Sequence, residues 1–157
     1  MTQKRSYITL SAEQTIDWYQ HHILVLHSYA LALALKAGLS PAEAARVFVE
    51  PWHNSGISLQ SQATAQLLEQ QARQIAEVSA LTYGEEHVHV EQQDDIWLIK
   101  VVIPDHEPLE RYGPSLEVHT QWAAEQLRQV CDPKGIACSI WLENNIQYTQ
   151  LSLQVPQ

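Results

Sequence analysis

The hydrophobic pattern of this chain changes from helical to strand-like spacing near residue 84, and that change restricts the folds open to it. Up to residue 81, apolar residues recur every three or four positions, as they do on helices. After residue 84, most segments alternate between apolar and polar residues or form short apolar runs, as strands do. The predicted elements, in chain order, are helices at 11–37, 40–51 and 58–81, strands at 87–92 and 95–103, a helix at 113–131, and strands at 136–142 and 147–155.

Three helices followed by a β-β-α-β-β unit predict an α+β fold with a four-stranded, mainly antiparallel sheet. A chain of 157 residues is the size of one domain. We therefore expect a single domain over 1–157, with a helical layer at 10–82 and the sheet unit at 85–155.

Local signals place the ends of the first two helices. Ser11 with Gln14 three residues later forms a capping-box pattern. Ser40 and Glu43 repeat that pattern at the start of the second helix. We expect Pro51 to end the second helix, because proline cannot donate a backbone hydrogen bond.

The first predicted helix is apolar on two sides. One side carries a stripe at helical spacing, formed by Ile16, Tyr19, Ile23, Leu26, Ala30, Leu33 and Ala37. The other side carries Trp18, Val25, Tyr29 and Leu35. A helix that is apolar all round is buried on more than one side. We therefore expect it at the centre of the domain or in a subunit interface.

The charge balance disfavours two classes of partner. The net charge is −9, and the nine Lys and Arg residues are scattered, which argues against nucleic acid and against an anionic membrane surface. Residues 85–117 hold nine carboxylates, a concentration that suits a cationic ligand but is also typical of a solvated face. The most apolar run, 23–37, is too short to span a membrane.

The compartment is predicted from the start of the chain and from its cysteines. The first ten residues lack the apolar core of a signal peptide. Cys131 and Cys138 do not form a disulfide framework, and buried structural thiols are the usual state of such residues. These features predict a cytoplasmic protein with reduced thiols.

The first hairpin has a core face and a second face that mixes polar and apolar residues. If Glu91 pairs with Ile96, the core face holds Val88, Val90, Trp97, Ile99, Val101 and Ile103. The other face holds His87, His89, Glu91, Ile96, Leu98 and Lys100. Because this second face is too apolar to stand freely in water, we expect a helix, a partner subunit or a ligand to cover it.

His87 and His89 are the candidate metal ligands. Side chains two residues apart on a strand share a face and lie about 6.5–7 Å apart. Two imidazoles at that spacing can bind zinc or another divalent transition metal if a third ligand joins them, and His106 and His119 are the candidates for it. The alternative is that the imidazoles only hydrogen-bond to nearby carboxylates such as Glu85.

Five other residues are candidates for binding a small molecule. Trp18, His22 and Tyr29 share a side of the first helix and could line a pocket. Trp52 and His53 lie on a predicted loop between two helices, where functional residues are common. The alternatives are core packing for His22 and turn chemistry for the loop.

Two functional hypotheses follow. The first is a small-molecule-binding domain with a histidine-lined pocket between the helical layer and the open face of the sheet. If it is an enzyme, His87, His89 and His119 would be its acid–base catalysts, with hydrolysis of a small polar substrate as the reaction. The second is a non-enzymatic homodimeric interaction or ligand-sensing module, which uses the apolar first helix and the outer hairpin face as contact surfaces.

Overall fold

The computed structural model describes residues 11–53, 64–103, 111 and 113–154, and of residues 51–53 it describes the backbone alone. The helices are α1 (Ala12–Lys36), α2 (Pro41–His53), α3 (Ala65–Tyr83) and α4 (Leu116–Cys131). The strands are β1 (Val88–Gln93), β2 (Ile96–Val102), β3 (Ile136–Glu143) and β4 (Ile146–Leu153). Short 3-10 turns at Glu85–His87 and Asp132–Lys134 precede β1 and β3. The predicted α+β fold, with three helices before a ββαββ unit, is confirmed.

Both predicted capping boxes are present. The Ser11 hydroxyl accepts a hydrogen bond from the Gln14 backbone N–H at 3.1 Å, and the Gln14 side chain accepts one from the Ser11 N–H at 3.0 Å. Ser40 and Glu43 make the same pair of bonds at the start of α2. These bonds satisfy backbone donors that a helix start would otherwise leave unpaired.

The prediction that Pro51 ends the second helix is wrong, since α2 continues to His53. A proline in the last turn removes a single helix hydrogen bond, and the residues after it can keep helical backbone angles. Trp52 and His53 therefore belong to a helix rather than to the predicted loop. Their side chains lie outside the described part of the chain.

The sheet has the strand order β1-β2-β4-β3, and all three neighbouring pairs are antiparallel. Two-residue turns join the hairpins, and Asn144 and Asn145 in the second turn have positive φ angles of 51° and 62°. Both values suit the type I′ turn, whose twist matches that of the strands.

The register of the first hairpin differs from the prediction by two residues. Glu91 lies opposite Leu98 and not opposite Ile96, because the turn consists of Asp94 and Asp95 alone. A shift by an even number keeps every side chain on its predicted face. His87 lies before the strand, in the 3-10 turn that follows Gly84.

One face of the sheet forms the main core. Ile99, Val101, Ile136 and Leu151 are fully buried against α3 and α4, with Leu68 of α3 and Cys131 of α4 in the same cluster. None of the hydrophobic clusters of the described residues includes a side chain from the other face. The cover expected over that face is therefore not found within the described part of the chain.

The helices form two layers on the core face. α3 and α4 pack on the sheet, and α2 packs along α4. Trp122 of α4 is buried among Leu31 of α1 and Ala44 and Ala45 of α2. α1 is thus a peripheral helix. Of its two expected places, the centre of the domain is wrong, and the subunit interface stays a prediction.

Candidate functional site

The candidate site is the outward surface of α1. The inward surface of this helix packs through Ser28 and Leu31, which are fully buried, and through Leu24, which contacts Ile103 and Leu116. The apolar stripe predicted from the sequence faces the other way. Its large side chains are widely exposed: Ile16 56%, Tyr19 58%, Ile23 36%, Leu26 65% and Leu33 64%.

A close approach between α1 and the start of α4 explains this choice of inward face. A Cβ atom on Gly113 would lie 2.9 Å from both Cβ and the carbonyl oxygen of Ser28. Only a small residue in α1 fits that contact. The buried Ser28 hydroxyl is satisfied by donating to the Leu24 carbonyl at 2.8 Å, so a polar residue can take one of the two fully buried positions of this helix.

The exposed stripe has the spacing of a coiled-coil seam. Its positions alternate in steps of three and four residues from 16 to 37, which is the a/d pattern of three heptads. We call Ile16, Tyr19, Ile23, Leu26, Ala30, Leu33 and Ala37 the α1 seam.

The predicted pocket residues of α1 lie on its surface. The rings of Trp18 and His22 stack with centroids 3.8 Å apart, and His22 Nδ1 lies 2.7 Å from the Trp18 carbonyl oxygen. Trp18 and Tyr29 are each about half exposed (48% and 49%). These side chains flank the α1 seam on the outward surface of the helix.

A second group of functional interest lies between α1 and α4. The rings of His27 and His119 each meet Trp122 edge to face, at centroid distances of 5.9 and 6.1 Å. We call these three residues the histidine–tryptophan cluster. His119 and Trp122 are buried, whereas His27 is exposed.

Burial determines the protonation of this cluster. Desolvation lowers the pKa of His119 to about 4, with a smaller contribution from nearby His27. Desolvation also lowers the pKa of His27. Both imidazoles are therefore neutral near pH 7. His119 Nε2 and Trp122 Nε1 have no hydrogen-bond partner among the described residues.

The three histidines proposed as catalysts do not share a site. His89 lies on the outer face of the sheet, opposite Lys100, whose Nζ is 2.5 Å from Glu91 Oε1. His119 lies in α4, which packs on the core face. The sheet thus separates His89 from His119. His87 Nε2 lies 3.6 Å from Glu86 Oε1 in the 3-10 turn.

The structure offers the predicted metal site little support. Within residues 11–53, 64–103 and 113–154, no three His, Cys, Asp or Glu side chains are grouped so that they could hold a metal ion. The ammonium of Lys100 opposite His89 also disfavours a cation there. His106, the third proposed ligand, lies outside the described residues.

Comparisons of the chain with protein-family models, with curated proteins and with solved structures gave no match. Among the helices that the structure describes, none combines the length and the apolarity needed to cross a bilayer.

Proposed function

We propose that this chain is a homodimeric interaction module in which the α1 seam packs against the same seam of a second copy. The observation that carries the proposal is the exposure of five large apolar side chains at heptad spacing along one helix. Monomeric proteins rarely expose an apolar patch of that extent without a partner.

The composition of the α1 seam favours a two-stranded, parallel pairing. Ile16 and Ile23 occupy a positions, and Leu26 and Leu33 occupy d positions. β-branched residues at a with leucine at d select parallel dimers. Ala30 at the next a position allows the two helix backbones to come close at that layer.

Charge favours a protein partner over a lipid surface. A helix that lies on a membrane usually has many Lys and Arg residues on its polar face, whereas Lys36 is the only such residue in α1. The net charge of −9 would also repel an anionic bilayer. A second copy of α1 offers an apolar stripe of the same length and spacing.

Light scattering coupled to size exclusion tests this proposal. We expect wild-type protein at micromolar concentration to have twice the chain mass of 17.8 kDa. The double variant Leu26→Lys/Leu33→Lys should raise the dissociation constant by about 1000-fold or more, because each leucine loses roughly 1–2 kcal/mol of burial in each protomer, which is at least about 4 kcal/mol in total.

Ile96→Lys is the matched control for that variant. Ile96 is also apolar and exposed (43%), but it lies on the outer face of the sheet, on the side away from the helices. The control should remain dimeric. A monomeric wild type, or a dimer that only Ile96→Lys dissociates, would show that the α1 seam is not the interface.

A second candidate function is the binding of a small polar molecule at the histidine–tryptophan cluster. It is favoured by the two buried ring nitrogens of His119 and Trp122 that lack partners among the described residues, since buried polar atoms are normally hydrogen-bonded. Because the Trp122 indole N–H is a donor only, the ligand would need an oxygen atom that accepts a hydrogen bond from it. Because a pKa of about 4 makes His119 a weak base near pH 7, this candidate is a binding site rather than a hydrolase.

A thermal-shift screen of small carboxylates and amides tests the second candidate. The control is His119→Phe, which keeps an aromatic ring and removes both ring nitrogens. A compound that raises the melting temperature of the wild type but not of His119→Phe would support the site. Equal shifts in both proteins, or no shift in either, would contradict it.

A further inference from the structure

β3 is an edge strand with backbone groups that point away from the sheet. In the strand order β1-β2-β4-β3, β4 is the only described strand that pairs with it. The Gln154 N–H donates to the Gly135 carbonyl at 2.9 Å, so every second residue from Gly135 onward hydrogen-bonds to β4. The backbone groups of the residues between them point outward, and we call these the open edge of β3: Ile136, Cys138, Ile140 and Leu142.

β3 lacks the features that usually protect an edge strand from pairing with another chain. Proteins protect such edges with short strands, with charged residues, above all lysine, with proline or with bulges. β3 has eight residues, contains neither lysine nor proline, and pairs with β4 without interruption from Ile136 to Glu143. The opposite edge strand, β1, is shorter and carries His89 and Glu91. Of the two edges, β3 is therefore the one suited to an added strand.

A surface groove runs beside the open edge, between β3 and α4. Its volume is about 320 Å³. The residues that line it are Cys138, Ser139 and Ile140 of β3 and Gln121, Ala124, Glu125 and Arg128 of α4. In a strand added at β3, every second side chain would point to the side of the sheet that holds α4. The groove can therefore select these side chains, while the backbone bonds hold the strand.

Arg128 sets the charge that the groove prefers. Its Nη2 donates to Glu125, which is buried, whereas the Arg128 side chain is 57% exposed. A guanidinium has five N–H donors, and the other Arg128 nitrogens have no partner among the described residues. A carboxylate of a partner can bind there. Ala124, one helical turn earlier, leaves room beside Ile140 for a small apolar side chain.

The spacing of these two contacts fits an extended chain. Four residues of a helix span about 6 Å, and two residues of a strand span about 6.6 Å. We propose that the open edge of β3 binds an extended segment of another protein as a fifth strand, with a carboxylate beside Arg128 and, two residues away, a small apolar side chain beside Ala124. The proposal does not depend on dimer formation through the α1 seam.

A second copy of β3 fits the groove less well than such a segment. The side chains of β3 on the groove side are all apolar or thiol groups, since they are those of the open edge. The carboxylate of Glu143 lies at the end of the strand and on the opposite face. A second β3 would therefore bring no carboxylate to Arg128.

Fluorescence anisotropy with a labelled peptide tests the proposal. The probe is the blocked peptide Thr-Glu-Thr-Ala-Thr-Val-Thr, together with its reversed sequence, because an added strand can run in either direction. We expect one of the two to bind. Glutamine in place of its glutamate, or Arg128→Gln in the protein, should raise the dissociation constant about two- to fivefold, since the Arg128 side chain is partly exposed. Arg73→Gln, which removes an exposed arginine of α3 from a similar ion pair, should leave it unchanged.

Methylation of single peptide nitrogens distinguishes strand addition from other binding. Neighbouring N–H groups of a strand point to opposite sides, so only one of two neighbours can donate to β3. We therefore compare the peptide methylated at the alanine nitrogen with the peptide methylated at the next threonine nitrogen. One should bind at least about tenfold more weakly, because it loses a hydrogen bond and its methyl group meets the β3 backbone, and the other should bind within about twofold of the parent.

Three results would overturn the proposal. The first is that neither peptide direction binds, and the second is that both methylated peptides are weakened equally. The third is a doubled mass of the seam variant Leu26→Lys/Leu33→Lys that the peptide lowers, because this result would assign the open edge to a second copy of the chain. A monomeric seam variant that still binds the peptide would support the proposal whether or not the α1 seam forms a dimer.

Discussion

Burial of His119 against Trp122 makes the stability of this protein depend on pH in a defined direction. The folded state holds the pKa of His119 at about 4, against an ordinary value of 6.5. As the pH falls, the unfolded chain therefore takes up the proton first, and unfolding becomes more favourable. The stability that neutral His119 contributes is complete above pH 6.5 and is lost progressively down to pH 4.

The size of this loss follows from the two pKa values. A difference of one pKa unit corresponds to 1.36 kcal/mol, so the free energy of unfolding should fall by about 3 kcal/mol between neutral pH and pH 4 on account of His119. About 2 kcal/mol of that loss should have occurred by pH 5. His119 is buried, so solvent screens this effect little.

Urea denaturation at a series of pH values, followed by tryptophan fluorescence, measures the loss. Because carboxylates and His27 also titrate in this range, the decisive quantity is the difference between the wild type and His119→Phe. We expect the free energy of unfolding of His119→Phe to depend less on pH, so that the wild type loses about 3 kcal/mol more than the variant between pH 7 and pH 4. Parallel curves between pH 7 and pH 4 would refute the reasoning.

Two further predictions concern packing, and both are measured by chemical denaturation. Gly113→Ala should cost about 1–3 kcal/mol, because the new methyl group would press on Ser28 at 2.9 Å and push α1 away from α4; unchanged stability would contradict this close approach. Ile99→Ala should cost about 2–5 kcal/mol because Ile99 is fully buried, whereas Ile96→Ala on the same strand, at 43% exposure, should cost less than about 1 kcal/mol. Equal effects of these two changes would contradict the assignment of the core to the face that holds Ile99.

The order of the elements was predictable because each helix and strand has its own period and end signals. Ser11 and Ser40 mark helix starts that the structure confirms, and the alternation around Ile99 identifies the buried face of β2. The partner of Glu91 was less certain, because the polar run 92–95 does not show which of its residues form the turn. The two faces of the hairpin were nevertheless predicted correctly, because the register error was an even number of residues.

The orientation of α1 was not predictable from its own residues. Both sides of this helix are apolar, so periodicity gives no preference between them. The deciding contact is long-range, between Ser28 and Gly113, and requires a small side chain rather than an apolar one. A polar serine therefore faces inward, while Leu26 and Leu33 face outward.

The separation of His89 from His119, in contrast, could have been inferred from the predicted faces of the sheet. His89 alternates with Val88 and Val90, so it points away from the core whenever those valines point towards it. A helix that covers the core face must pack its own apolar stripe there, and His119 belongs to that helix. A four-stranded sheet therefore lies between the two imidazoles, and a small ligand that contacts His89 cannot also contact His119 of the same chain. Any chemistry of His119 must be sought on the α1 side of α4, where His27 and Trp122 are its neighbours.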